Sequence, residues 1–159
     1  MKIDIDVGAQ RLTLLDDAGK AVRTYPVSTA TNGIGEQFGS NCTPGGRHIV
    51  RAKIGGGKPL RGVFRGRRPT GEVWSPELQA KYPTRDWILT RILWLSGCEP
   101  GRNRLGNVDT MRRMVYIHGA EDGAPMGVPE SHGCIRMRND DVAELFDLVP
   151  PYTLVEIHP

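Results

Sequence analysis

The sequence predicts a single mainly β domain, and three observations carry that expectation. Twenty glycines and twelve prolines among 159 residues are many for this length, and both are poor in helix interiors. Short runs near the N-terminus alternate apolar and polar residues with a period of two, the strand period. The length holds one sizeable core and is short for two.

Lys2 to Val7 alternates strictly, Arg11 to Leu15 follows, and Asp16-Asp17-Ala18-Gly19 supplies a turn before Ala21 to Val27. These read as a β-meander. Ser28 to Gly46, rich in Gly, Thr and Asn, is expected to be a long ordered loop, and Arg47 to Lys53 a further strand. Gly55-Gly56-Gly57 and Pro59 open a polar excursion through Arg68. Pro76, just after Ser75, fits the first turn of a short helix reaching Tyr82. Trp87 to Leu95 is apolar on both faces and reads as a doubly buried strand, with a short buried helix as the alternative. Met114 to Ile117 is a short strand ending at His118. Asn139 to Val149 is the clearest helix. Asn139 is expected to cap it, and Val142, Leu145, Phe146 and Val149 form its apolar face. Pro150-Pro151 ends it before a last strand, Tyr152 to Ile157.

A net charge of +3 tolerates an anionic partner without requiring one. No window is long and apolar enough to span a bilayer, and Met1 to Asp6 holds no apolar signal core. Cys42, Cys98 and Cys134 are odd in number and widely spaced, which argues against a disulfide framework. The expectation is a cytoplasmic protein, or a periplasmic one if an export signal has been removed, with no membrane partner.

The chemistry concentrates in Ser131-His132-Gly133-Cys134-Ile135-Arg136, with His118-Gly119 upstream. A thiol is mostly protonated at neutral pH, and an imidazole within hydrogen-bond reach can take its proton. Cys134 is therefore the candidate nucleophile and His118 its base. Backbone N–H groups of His132, Gly133 and Cys134 are placed to converge on a developing oxyanion.

At these residues the chain resembles the L,D-transpeptidase (YkuD-domain) family, whose hallmark is a histidine, a variable loop, then Ser/Thr-His-Gly-Cys, an apolar residue and Asn or Arg. Tyr25-Pro26-Val27-Ser28-Thr29-Ala30 and Thr43-Pro44-Gly45-Gly46 resemble the family's early strand and its Thr-Pro-x-Gly loop. The resemblance covers most of the chain except residues 55 to 105, a family-atypical insertion within one catalytic domain spanning 1–159. It implies a YkuD-like β-sandwich or barrel-like fold with a short helix after the nucleophile. It also implies that the Gly119 carbonyl orients the His118 imidazole, and that neither metal nor cofactor is needed. The implied substrate is a peptidoglycan tetrapeptide or muropeptide, attacked between meso-diaminopimelate and D-alanine to leave a thioester. Water as acceptor gives L,D-carboxypeptidase action in muropeptide recycling, the reading favoured by the absent signal. An amine acceptor gives a cross-link. Carbapenems are the expected inhibitors.

Each residue also has a plainer reading. Cys134 and His118 can be structural, Ser131 a turn residue rather than a substrate contact, and Arg136 the partner of a local acid rather than of a substrate carboxylate. His48 and His158 have no partner motif and are expected to be solvent-side or structural. The basic run from Arg61 to Arg68, with Phe64 among its arginines, reads first as a solvated loop. It reads second as a lid in which Arg65 and Arg67 gather substrate carboxylates, and last as a nucleic-acid contact. No nucleic-acid partner is expected. A zinc site from His118, His132 and Cys134 lacks the close second ligand pair such sites show. The rival from another class is a non-catalytic peptidoglycan-binding or regulatory protein.

Overall fold

The computed structural model describes residues 1–159, and the N-terminal alternation becomes strands β1 (Lys2–Asp6), β2 (Arg11–Leu15) and β3 (Ala21–Pro26). Ile3, Ile5, Leu12 and Leu14 point inward and are fully buried. The Asp16 carboxylate closes the β2–β3 turn by accepting from the N–H groups of Ala18 and Lys20, each at 2.9 Å. After a long loop come β4 (Gly46–Ile54), β5 (Gly62–Arg65), β6 (Arg68–Val73), α1 (Pro76–Lys81) and β7 (Ile88–Gly97). The chain ends with β8 (Tyr116–Gly119), β9 (Ile135–Met137), α2 (Asn139–Leu148) and β10 (Leu154–His158). No helix is long and apolar enough to cross a membrane.

One ten-stranded sheet runs β3-β2-β1-β10-β4-β7-β5-β6, with β8 joined to β7 and β9 to β8. Most neighbours are antiparallel, but β1 pairs with β10, and β8 with β9, in parallel. β7 is the hub. Its Ile92 pairs with Ile54 of β4 on one edge and with His118 of β8 on the other. This mainly β architecture with few helices matches the expected fold class. Residues 88–97, inside the segment expected to be an insertion, are thus the central strand of the sheet.

The main core gathers Ile3, Ile5, Leu12, Leu14, Leu93, Leu95, Ile117, Ile135 and Met137 under Val142, Leu145, Phe146 and Val149 of α2 and its end. Each such buried side chain contributes roughly 1.5–3 kcal/mol. Three elements differ from the sequence expectation. The polar excursion contains a hairpin, β5–β6, whose two-residue turn places Gly66 at φ 55° and Arg67 at φ 63°. Two-residue hairpins favour positive φ at both centres, and Asn-Gly or Asp-Gly usually announce them; Gly-Arg does not. The short strand β9 is hidden by the motif it follows. Asn139 does not cap α2. Arg138 takes the cap position without a side-chain bond, because the buried Asn139 amide is spent elsewhere. It donates to Ala120 O at 2.8 Å and Asp122 Oδ1 at 3.0 Å, and accepts from the Thr90 hydroxyl at 2.5 Å.

Candidate active site

β8 and β9 pair with His118 opposite Arg136 and Ile117 opposite Ile135. Alternation along each strand sends Ile117, Ile135 and Met137 into the main core. Tyr116, His118, Cys134 and Arg136 therefore share the opposite face. Cys134 packs there against a small cluster of Phe64, Ile92 and Tyr116.

His118 is 1 % exposed, and its Nδ1–H donates to the Gly119 carbonyl at 2.7 Å. That bond leaves Nε2 as the ring's lone-pair nitrogen. Burial pushes the imidazole below its ordinary pKa, against the opposing effect of the Gly119 carbonyl. Gly119 itself admits no side chain, since a Cβ there would lie 2.5 Å from Asn139 Oδ1 and 2.7 Å from Leu89 O. Asn139, expected at a helix cap, instead closes the space behind the histidine's backbone.

The half-buried Cys134 thiol accepts the Tyr116 N–H at 3.3 Å and faces Met114 O at 3.5 Å. No hydrogen bond joins it to His118. Burial raises its pKa to about 11, with Asp86 adding to the rise while the Tyr116 N–H, Arg136 and Arg113 oppose it. Burial therefore disfavours the charged form of both thiol and imidazole.

The Ser131–Cys134 turn is braced from within. Ser131 is buried, its hydroxyl donating to Cys134 O at 2.6 Å and accepting the Gly133 N–H at 3.2 Å. Both interactions lie inside the turn, the plainer of the two readings for Ser131. They also occupy one of the three N–H groups expected to face an oxyanion. Those of His132 and Cys134 make no bond within the chain. Gly133 adopts φ 134°, and Thr43 Oγ1 donates to its carbonyl at 2.9 Å, tying the Thr-Pro-Gly loop to the nucleophile turn.

The arginines divide. Arg136 pairs with Asp86 at 3.5 Å. Arg67 donates to the Tyr116 hydroxyl at 3.0 Å and stacks over Trp94 at 4.6 Å, beside the thiol's cluster. Arg65 is exposed and makes no side-chain bond. No cluster of three or more His, Cys, Asp or Glu residues that could hold a metal is present. A cleft of about 230 Å³ opens at Cys134, walled by His132 and Gly133, by Phe38, Gly39 and Asn41 of the long loop, and by Arg113, Met114 and Val115.

The profile described as YkuD, L,D-transpeptidase catalytic domain, matches residues 1–157. The chain belongs to this family. Within it, a probable L,D-transpeptidase of Escherichia coli, YbiS, is 43% identical over 93 residues, covering 57% of this chain and 29% of its own length. Another from E. coli, YcfS, is 26% identical over 157 residues, covering 98% of this chain and 43% of its own length. The chain thus spans less than half of either relative. Among solved structures, an L,D-transpeptidase from Mycobacterium smegmatis superposes with a TM-score of 0.57 at 20% identity, covering 99% of this chain and 58% of that one. One from Enterococcus faecium gives 0.59 at 17% identity, covering 99% and 49%. These likenesses establish the shared fold.

Several residues of this YkuD domain's site are absent from the sequence expectations. Tyr116 had a usable signal, since it stands two residues before His118 on a strand and so shares its face. Asp86, Asn41, Phe38 and Arg113 had none, because loop geometry rather than periodicity brings them to the thiol.

Proposed function

We propose that the protein is a cysteine acyltransferase acting on peptidoglycan stem peptides, with Cys134 as nucleophile and His118 as base. The observation that carries this reading is the buried His118 imidazole, fixed by Gly119 with its Nε2 lone pair free, on the same strand face as a cleft-lining thiol. The Cys134 proton passes to His118 Nε2 as sulfur attacks the carbonyl carbon. The transfer requires the thiol to turn away from Met114 O toward His118, as catalytic hydrogen bonds often tighten only with substrate bound. The Tyr116 N–H steadies the charge on sulfur. The N–H groups of His132 and Cys134 receive the charge on oxygen. His118 then protonates the leaving amine, the C–N bond breaks, and a thioester remains on Cys134. Water or an amine next attacks the thioester, giving its proton to His118, and the thiol is restored.

For the acceptor, the cleft of about 230 Å³ lies below the range typical of small-molecule sites. A cleft of that size suits a single chain end, which favours water and hence L,D-carboxypeptidase action. The cross-linking alternative draws support from a second, apolar groove of about 490 Å³ that shares Phe38 and Met114 with the first. Incubation with a defined meso-diaminopimelate tetrapeptide, followed by mass spectrometry, tests both. Tripeptide and free D-alanine are expected. Dimer without tripeptide would replace the carboxypeptidase reading with the cross-linking one, and an untouched substrate would remove both.

A further inference from the structure

Arg113 leads into β8 and is half-buried against the long loop, where its guanidinium makes three hydrogen bonds. It donates to Gly35 O at 3.2 Å, Ser40 Oγ at 3.3 Å and Cys42 O at 2.7 Å. All three acceptors are neutral. Arg113 forms no salt bridge, and Glu36, the carboxylate whose charge acts on it, is engaged by Arg102 at 3.7 Å. A guanidinium taken partly out of water with only dipolar partners is incompletely compensated. Three of its five N–H donors are committed, leaving two.

Its position gives the missing charge a place. Arg113 walls the cleft that holds Cys134, between the loop residues Phe38 to Asn41 and the nucleophile turn. The Cys42 carbonyl it holds lies against Gly133, where a Cβ would come within 3.3 Å of that oxygen. The other cations near the thiol are already occupied. Arg136 has Asp86, and Arg67 lies on Trp94 and Tyr116.

We propose that Arg113 is the anion-recognition residue of this cleft, receiving a carboxylate that the substrate carries close to the carbonyl attacked by Cys134. The preferred acyl donor is then a peptide with a free carboxylate within about one residue of the scissile bond, and the amide of the same peptide is a poor donor. This deepens the proposed function and rests on Cys134 being the reactive thiol.

A matched pair of small alkylating agents tests it without requiring turnover of any peptide. Iodoacetate and iodoacetamide differ in a carboxylate against an amide, and each forms an S–C bond at the thiolate as iodide leaves. The rates are followed by mass spectrometry on the Cys134 peptide, in the full chain, for wild type, R113Q and R113K. The iodoacetate-to-iodoacetamide rate ratio is expected to fall roughly tenfold to a hundredfold in R113Q, the range a hydrogen bond to an ionised group spans. It is expected to stay between the two in R113K, which keeps charge but loses the fork. Because any shift in thiol pKa or loosening of the loop changes both rates together, the ratio isolates the anion. An equal ratio in wild type and R113Q overturns the proposal. A ratio in R113K as low as in R113Q overturns it as well, and leaves Arg113 as a tie for the Gly35–Cys42 loop. A protein that shows the expected ratio yet leaves tetrapeptide intact refutes the peptidoglycan reading while the anion site stands.

Discussion

His118 and His48 are near twins on strands that flank the hub strand β7 from opposite edges. Both are buried, and the Nδ1 of each faces a glycine carbonyl, Gly119 at 2.7 Å and Gly46 at 3.0 Å. Burial lowers both pKa values, that of His48 to about 4. They part at Nε2. The Thr110 hydroxyl closes His48 at 3.0 Å, and since Nδ1–H must donate to Gly46, Nε2 accepts there. His118 Nε2 has no partner in the chain. Burial and tautomer control are therefore common to a structural histidine and to the proposed base, and the Nε2 without a partner on Cys134's face of the sheet separates them.

The comparison breaks most visibly at the site. H118A should slow carbapenem acylation of Cys134 by about 10²–10⁴-fold, the usual worth of a general base, while H48A leaves the rate within a few-fold of wild type wherever the protein stays folded. Intact-protein mass spectrometry reads both, with C134A as the blank. Equal losses in the two histidine variants would end the distinction. G119A comes next. The added methyl overlaps Asn139 and Leu89, so the carbonyl that orients His118 must move, and a tenfold or larger loss of acylation rate is expected with about 1–3 kcal/mol of overpacking cost.

At His48 the effect is on stability. Its folded pKa lies below that of the unfolded chain, so unfolded molecules bind the proton first as pH falls. The stabilisation is whole above pH 6.5 and is lost as pH drops through about 4, amounting to about 3 kcal/mol. Urea unfolding between pH 7 and 4 should show a shallower acid loss in H48Q than in wild type; parallel curves would remove His48 as the cause. T110V should cost about 1–3 kcal/mol by leaving Nε2 unpaired, with acylation unchanged. Smallest is His158, half-buried and raised by its bond to Asp4 at 3.0 Å. Its contribution is present below pH 6.5 and fades as pH rises through the folded value, so D4N should change stability by less than about 0.5 kcal/mol.

Much of this was legible wherever a local signal exists. Period-two alternation located β1 to β3, the apolar run at Trp87–Leu95 located the hub strand, and four apolar positions defined the inner face of α2. Ser131-His132-Gly133-Cys134 with His118 pointed to the site's centre. The rest depends on contacts distant in sequence. Asn139 has the chemistry of a cap, and only the approach of Thr90 and Ala120 makes it a buried hub. His48 looked partnerless because Thr110 reaches it through a loop. The hairpin carrying Arg67 uses positive φ at an arginine, which the sequence does not advertise.

The parallel pairing of β1 with β10 sets Lys2 beside Leu154 and Ile5 beside Ile157, strands from opposite ends of the chain. The meander can form early from neighbours, but its inner edge stays open until β10 has been made. Closure must then bring together segments with nearly the whole polypeptide between them, which makes folding slow for a domain of this size. Until that moment the nucleophile turn, already synthesised, has no finished sheet behind it. The sheet behind Cys134 is thus complete only once β10 has joined it.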